Sequence, residues 1–413
     1  MTYLEKEDRE LFGYIEDEQN RQEYELELIA SENYVSEAVM EASGSILTNK
    51  YSEWYPGKRY YAGQINIDKI ENLAIERAKK LFGAEYVNVQ PLSGSPANLA
   101  VYIAILKPGD TVLGLNLDQW WHLSHGHPLN FSWLLYNIIG YSLDKDTELI
   151  NMDEVERLAT ENKPKMIIAG FSAYSRDLDW AKFRQIADKV WAVLMADISH
   201  IAGLIAGWIL ENPIPYCDIV TTTTHKTLRW PRGAIIMSKE QFWPALARAV
   251  FPWVQWWPHE NLIAAKAVAF KEALEDNFKT YSRQVVDNAR VLAKSLQEVW
   301  FRIVSDGTDN HLILIDVFGS FEVTWKEAEI TLEKIWISVN KNMIPYDPRK
   351  PLDPSGIRVW TAAITTRWMK EAEMKAIAWL IFEAISNKDN EAKLASLKQK
   401  IRELCIKFPI YKK

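Results

Sequence analysis

Short runs of consecutive apolar residues alternate with longer amphipathic stretches between residues 80 and 240. Strands that are buried on both faces of a parallel sheet have such near-continuous apolar sequences. We therefore predict a largely parallel sheet flanked by helices in this region. The predicted strands are Thr111–Leu117, Met166–Gly170, Ala192–Asp197, Asp218–Thr224 and Ala234–Ser238.

The regions on either side have different patterns. Residues 1–30 are charge-rich and predict an amphipathic helical arm. Asn151, followed three residues later by Glu154, is typical of a helix start. Residues 258–300 predict one long helix, and they are followed by a strand at 310–317, a helix near 325–336, a proline-rich loop at 345–354 and a final helix pair.

Together these elements predict an α/β protein, and a length of 413 residues leaves room for more than one domain. We expect a helical arm at residues 1–25 and a large domain with a mainly parallel sheet at residues 26–284. A smaller α+β C-terminal domain would occupy residues 285–413.

Composition narrows the possible partners and surroundings. The net charge of -7 argues against nucleic acid or an anionic membrane surface as a partner. Cys217 and Cys405 are the two cysteines, so the chain has neither a disulfide framework nor a cysteine-based zinc site. The charged N-terminal residues lack the apolar stretch of a signal peptide, and no apolar run reaches membrane-spanning length. We therefore expect a cytoplasmic protein.

A lysine directly after a predicted strand is the sharpest chemical feature. Lys226 lies in the segment Thr221–Arg229, at the carboxyl end of the strand, where open α/β sheets place their ligands. Desolvation there lowers a lysine pKa and makes the amine a nucleophile toward carbonyls. The alternative is an ordinary surface lysine in a loop.

Three further features have the residue types of a cofactor site. Asp197 ends a predicted strand, and a carboxylate there can pair with the ring nitrogen of pyridoxal phosphate, although it can also simply begin a loop. Ser93-Gly94-Ser95 opens a predicted helix and suits a phosphate, or it is only a helix cap. His122, His125 and His127 share one loop, but no cysteine or clear carboxylate accompanies them, and we predict no metal site.

These stretches together resemble the serine hydroxymethyltransferase family, which consists of fold-type-I pyridoxal-phosphate enzymes. Nine blocks match in order, far more than any single motif would supply. They are Leu28–Asn33, Leu47–Tyr51, Tyr55–Tyr61, Glu71–Ala74, Thr221–Arg229, Phe251–Pro252, Gly307–His311, Val339–Asn342 and Ser355–Arg358.

The resemblance implies a role for each matching residue around pyridoxal 5'-phosphate. Lys226 would form the internal aldimine, Asp197 would pair with the ring nitrogen, and His122 would stack on the ring. His225 would tune reaction specificity. The other cofactor-binding residues that it implies are Ser93, Gly94, Ser95, Ser172, His200 and Thr223, with Trp256 and Trp257 from the neighbouring protomer.

The same resemblance implies a homodimer with shared active sites. Arg358 would clamp the substrate carboxylate, since its planar fork suits bidentate binding. Ser31, Tyr51, Glu53 and Tyr61 would reach in from the neighbouring protomer, with Glu53 as proton shuttle. Leu117, Leu123 and Asn342 would line the pocket for tetrahydrofolate.

The implied reaction moves the hydroxymethyl carbon of serine to tetrahydrofolate and leaves glycine, a step of one-carbon metabolism. Two alternatives stay open on the sequence. A related pyridoxal-phosphate aldolase would cleave β-hydroxy amino acids without folate. A cofactor-free, non-catalytic homologue would serve interaction or scaffolding if bulky rings really occupy the phosphate loop.

The bulky rings are tryptophans, which are unusually frequent in this chain. It has 18 Trp and 17 Gly, where ~29 Gly are expected. Fifteen tryptophans stand where the family motif has glycine, whereas Trp180, Trp243 and Trp379 do not. We hypothesise that UGA codons for glycine have been translated as Trp. The fifteen are Trp54, Trp120, Trp121, Trp133, Trp191, Trp208, Trp230, Trp253, Trp256, Trp257, Trp300, Trp325, Trp336, Trp360 and Trp368.

Overall fold

The computed structural model describes residues 2–116 and 122–411. Its contacts divide the chain into two compact units. One unit is Val35–Val286, and the other combines Met1–Tyr34 with Asp287–Lys413. The first 34 residues thus belong with the C-terminal unit, whereas the sequence alone predicts a separate arm at 1–25.

The described strands and helices follow in chain order. The strands are β1 Leu26–Glu27, β2 Tyr86–Asn88, β3 Thr111–Leu115, β4 Asn137–Tyr141, β5 Met166–Gly170, β6 Val193–Asp197, β7 Ile219–Thr223, β8 Ala234–Ser238, β9 Arg302–Ile303, β10 Leu312–Asp316, β11 Ile337–Ser338, β12 Asn340–Asn342 and β13 Gly356–Trp360. The helices are α1 Tyr3–Glu7, α2 Arg9–Tyr24, α3 Glu37–Ser43, α4 Ile65–Phe82, α5 Gly94–Ile105, α6 Phe131–Leu135, α7 Met152–Asn162, α8 Trp180–Val190, α9 Ala202–Ala206, α10 Trp243–Arg248, α11 Glu260–Ala273, α12 Asp276–Glu298, α13 Val317–Phe321, α14 Trp325–Lys334, α15 Ala362–Thr366, α16 Glu371–Ser386 and α17 Glu391–Lys407.

A seven-stranded sheet forms the centre of the unit Val35–Val286, in the order β2-β8-β7-β6-β5-β3-β4. The strands from β4 to β7 pair in parallel, whereas β8 and β2 pair antiparallel at one side. Every residue of β5, β7 and β8 is buried, as strands covered on both faces require. The predicted α/β class with a mainly parallel sheet is confirmed.

The start of α7 agrees with the sequence prediction, whereas the helical region after residue 258 differs from it. The Asn151 side chain accepts hydrogen bonds from the N–H groups of Asp153 and Glu154, as the predicted helix start requires. The single helix predicted for residues 258–300 is wrong, because α11 and α12 are separate. The N–H groups of Leu274 and Glu275 bond to carbonyls three residues back, which tightens and ends α11 before Asp276 begins α12.

The other unit contains two small sheets. Its four-stranded sheet is antiparallel in the order β12-β13-β10-β9, and β1 pairs in parallel with β11. Arg367 is fully buried and donates to backbone carbonyls of residues 22, 23 and 25 at the end of α2 and of residues 405 and 408 at the end of α17. These bonds supply partners for carbonyls that helix ends leave open, and they anchor α2 within this unit.

No helix in the described residues is long and apolar enough to cross a membrane.

The backbone at several tryptophans is the backbone of a glycine. Six of the thirteen non-glycine residues with positive φ in the described chain are Trp. Bulky residues rarely adopt this conformation. Trp191, Trp208, Trp300 and Trp368 each follow a helix, and the next residue's N–H bonds back five residues, the Schellman pattern in which the C′ residue is usually glycine. This observation supports the hypothesis that these positions carry glycine in the native protein.

Candidate active site

The predicted site lies at the carboxyl ends of three neighbouring parallel strands. Gly170 of β5, Asp197 of β6 and Thr221 of β7 are paired in register across this edge. A Cβ on Gly170 would lie 2.4 Å from the Asp197 carbonyl oxygen, so glycine permits the close approach of the two strand ends. Lys226 follows β7 by three residues and is 6% exposed, so its amine is a buried group beside this edge.

Asp197 is held as a carboxylate by a dense set of donors. Its Oδ1 accepts from the Ser199 N–H at 3.1 Å and the Ser199 hydroxyl at 2.6 Å. Its Oδ2 accepts from Asn98 Nδ2 at 2.9 Å and lies 3.0 Å from His125 Nε2. Burial opposes ionisation, but the hydrogen bond and charge of His125 hold the Asp197 pKa well below its usual range. The site therefore keeps a fixed negative charge at neutral pH.

His125 and Tyr102 form a chain behind this carboxylate. The Tyr102 hydroxyl lies 3.1 Å from His125 Nδ1, and burial raises the pKa of Tyr102 well above its ordinary value. The phenol thus keeps its proton, and its contact with Nδ1 holds the ring with Nε2 toward Asp197. Sequence reasoning treats His125 as one of three loop histidines and does not assign it this role. The signal that could have identified this role is a buried histidine that has no accompanying metal ligands.

The Ser93-Gly94-Ser95 segment begins α5, as predicted, although the helix starts at Gly94. Ser93 is the N-cap, but within the described chain its side chain makes no capping hydrogen bond. Both serine hydroxyls are exposed, and first-turn N–H groups of a helix lack intrahelical partners. A Cβ on Gly94 would lie 2.7 Å from Thr223 Cγ2, so this helix start packs against the end of β7. The arrangement suits a phosphate.

The remaining residues predicted near the ring lie in the same unit, Thr223 at the end of β7 and the others in loops. Ser124 orients His122, since its N–H donates to Nδ1 at 3.2 Å and its Oγ lies 2.6 Å from that nitrogen. The Thr223 N–H donates to the Ser199 hydroxyl at 3.0 Å, which ties β7 to the group that binds Asp197. Ser172 follows β5, and His200 is 4% exposed.

The surroundings of His225 hold its imidazole in the neutral form. Burial, and then the charges of Lys226 and Arg232, lower the pKa of His225 to about 3. Its imidazole is therefore neutral throughout the physiological range.

A second group joins five residues that the resemblance assigns to the neighbouring protomer. Glu53 is 7% exposed, and its Oε1 accepts from Trp256 Nε1 at 2.6 Å and from the Tyr61 hydroxyl at 3.4 Å. The ring of Tyr51 lies 5.6 Å from that of Tyr61 and 4.6 Å from that of Trp257, measured between centroids. The structure thus brings Tyr51, Glu53, Tyr61, Trp256 and Trp257 together within one chain.

Arg59 fixes the loop that carries this group. Its guanidinium donates to Asp68 at 2.9 Å, to the Trp54 carbonyl at 2.7 Å and to Glu71 at 2.5 Å. Glu71 also accepts from Gln90 Nε2 at 2.8 Å. The buried ion pairs therefore connect the loop to α4 and to the segment after β2.

The predicted substrate and folate residues are divided between the two units. Arg358 lies on β13, where its Nε donates to Asn340 Oδ1 at 3.4 Å, and desolvation lowers its pKa to about 10, so it stays charged at neutral pH. Asn342 ends the adjacent strand β12, and Ser31 forms a tight turn whose N–H bonds to the Ile29 carbonyl. Leu123 is in the Val35–Val286 unit and is 59% exposed, whereas Leu117 lies outside the described residues.

The donor set of the first unit fits pyridoxal 5'-phosphate. A buried amine at Lys226 can bind the aldehyde, and the ionised Asp197 can pair with a protonated ring nitrogen. Gly94 leaves the helix start free of a side chain between two exposed serine hydroxyls. Thus an amine, an anion and a helix N-terminus lie around one sheet edge.

Comparison with known families agrees with this geometry. The protein-family model described as serine hydroxymethyltransferase matches residues 4–381 of the 413-residue chain. The match covers most of both structural units.

Proposed function

Because the chain belongs to the serine hydroxymethyltransferase family, we propose that it interconverts serine and glycine with tetrahydrofolate as co-substrate. The serine hydroxymethyl carbon passes to tetrahydrofolate and gives 5,10-methylenetetrahydrofolate. Pyridoxal 5'-phosphate, when bound, supplies the electron sink for breaking the Cα–Cβ bond.

The observation that carries this proposal is the ionised Asp197 next to the strand that leads to Lys226. A carboxylate with four donors and a lowered pKa keeps a proton on the pyridine nitrogen. Lys226 would provide the amine that holds the cofactor's aldehyde. His122 would cover the ring face, and Ser93, Gly94 and Ser95 would hold the phosphate. His200 and Ser172 would bind near the phenolic oxygen, and the neutral His225 adds no positive charge beside Lys226.

Substrate binding in this proposal uses Arg358 and residues of a second copy of the chain. Arg358 binds the serine carboxylate in a bidentate way. Glu53 takes and returns the hydroxymethyl proton, while Tyr51, Tyr61 and Ser31 orient the substrate. The grouping of Glu53, Tyr51 and Tyr61 supports their arrival as one set from the neighbouring protomer, in a homodimer.

Folate binds beside Leu117, Leu123 and Asn342 in this proposal. If positions 256 and 257 are glycine in the native protein, their backbone N–H groups become accessible to the phosphate, as the family motif requires.

The test is serine cleavage by the purified protein with added pyridoxal phosphate, in the presence and absence of tetrahydrofolate. Glycine formation that depends on both is the expected result. Turnover that is indifferent to folate would identify an aldolase of β-hydroxy amino acids instead. Absence of an absorbance band from lysine-bound cofactor would identify a non-catalytic homologue.

A further inference from the structure

We propose that Lys266 is a positioning residue that fixes the phosphate-binding loop, residues 89–95, to the lysine loop, residues 224–233. The inference rests on the proposed function, because these loops hold the phosphate and the amine. Lys266 is on α11 and is 2% exposed. No motif of the resemblance includes it.

The ammonium of Lys266 joins the beginning of one loop to the end of the other. Its Nζ donates to the Val89 carbonyl at 2.7 Å and the Pro91 carbonyl at 3.2 Å, both before Ser93. It also donates to the Ala234 carbonyl at 3.0 Å, directly after the lysine loop. Burial lowers the pKa of Lys266 to about 7; in its protonated form the side chain has three N–H donors, and all three are used in these bonds.

Gly233 makes the space that Lys266 needs. A Cβ on Gly233 would lie 2.5 Å from Lys266 Cε and 2.8 Å from Nζ. Gly233 does not have positive φ, so the backbone there accepts alanine, and the main constraint is the lysine side chain, with Thr224 Oγ1 farther away at 3.3 Å. The lysine loop also closes on itself here, since the Thr224 N–H bonds to the Gly233 carbonyl at 3.0 Å.

The phosphate-binding loop is held from its other side as well. Gln255 accepts from the Leu92 N–H at 3.2 Å and donates to the Gln90 carbonyl at 2.9 Å. Lys266 and Gln255 thus bind backbone groups of four consecutive residues, 89–92, immediately before the phosphate site. Loss of Lys266 removes a donor from three carbonyls, of which Pro91 keeps its bond from the Ala234 N–H, and the loop must move to regain the missing bonds.

The experiment compares Lys266→Met with the matched control Lys271→Met, which changes an exposed lysine of the same helix. Titration with pyridoxal phosphate, followed by the absorbance of lysine-bound cofactor, gives the dissociation constant. We expect it to rise about tenfold or more in Lys266→Met and to stay unchanged in Lys271→Met. At saturating cofactor, kcat should stay within about twofold, because Lys266 touches no reacting atom.

A second variant perturbs the same contact by changing Gly233 and leaving Lys266 in place. Gly233→Ala displaces the Lys266 side chain and should weaken cofactor binding similarly, whereas the control Gly13→Ala, which has open space around its Cβ, should not. An unchanged dissociation constant in a folded Lys266→Met or Gly233→Ala protein, even with a lower melting temperature, would overturn the inference. Failure of the unmodified protein to bind pyridoxal phosphate would instead overturn the proposed function.

Discussion

Replacing Trp191 by glycine is expected to stabilise the protein. Trp191 follows α8 with φ 61° and is 93% exposed, so its ring contributes little burial. A left-handed conformation costs an L-residue roughly 1–2 kcal/mol, which glycine avoids. The greater freedom of glycine in the unfolded chain offsets about 0.5–1 kcal/mol of this gain. The net expectation is a stabilisation of about 1 kcal/mol.

The same argument applies to three more helix ends. Trp208, Trp300 and Trp368 have φ values of 62°, 74° and 69° and are 77%, 77% and 64% exposed. If the four sites are independent, the fourfold glycine variant should gain about 4 kcal/mol in free energy of unfolding. Urea unfolding followed by circular dichroism measures this gain.

Trp180 supplies the matched control. It is fully buried in α8 and lacks positive φ, so Trp180→Gly should destabilise the protein by at least about 3–5 kcal/mol. A fourfold glycine variant less stable than the unmodified chain would refute the reasoning. UGG codons at these four positions, or peptide masses with Trp in protein from the native source, would refute the translation hypothesis separately.

Three further predictions concern the site and its surroundings. His125→Phe removes a donor to Asp197 and should raise the pKa of that carboxyl and lower kcat by about tenfold or more, measured at saturating cofactor; an unchanged kcat would contradict the chain from Tyr102. Burial and the charge of Glu71 raise the Glu260 pKa from 4.5 to about 7. The protonated Glu260 carboxyl therefore contributes stability that is fully present below pH 4.5 and is lost as the pH rises through 7. The free energy of unfolding of Glu260→Gln should therefore rise relative to that of the unmodified protein between these pH values, by up to ~3 kcal/mol. Urea unfolding at each pH measures this, and a difference between the two proteins that does not vary with pH would contradict it. Arg358→Lys loses the bidentate fork and should raise the KM for serine by about tenfold or more, whereas an unchanged KM would remove Arg358 from the substrate site.

Much of the sheet could be predicted because its central strands are apolar throughout. The predicted bounds of β5 and β8 are those observed, whereas β6 starts one residue later than predicted and β7 is one residue shorter at each end. By contrast, β4 was not predicted, because four of its five residues are partly or fully exposed at the sheet edge. An edge strand lacks the continuous apolar run that identifies its buried neighbours.

Some residues of the site could likewise be predicted from the sequence, and others could not. Lys226 and Asp197 could be placed together from the sequence, since parallel strands end at one edge. The partners His125, Asn98 and Lys266 could not, because their bonds join positions that are far apart in the chain and follow no local spacing. Such contacts depend on how helices pack on the sheet, which periodicity does not specify.

Serine turnover by the purified protein and its Lys226→Ala variant tests the central proposal most directly. We predict that the unmodified protein, supplied with pyridoxal phosphate, forms glycine and 5,10-methylenetetrahydrofolate in equal amounts. We also predict that Lys226→Ala loses both this turnover and the absorbance of lysine-bound cofactor. Glycine formed at the same rate without tetrahydrofolate, or full turnover in Lys226→Ala, would contradict the proposal.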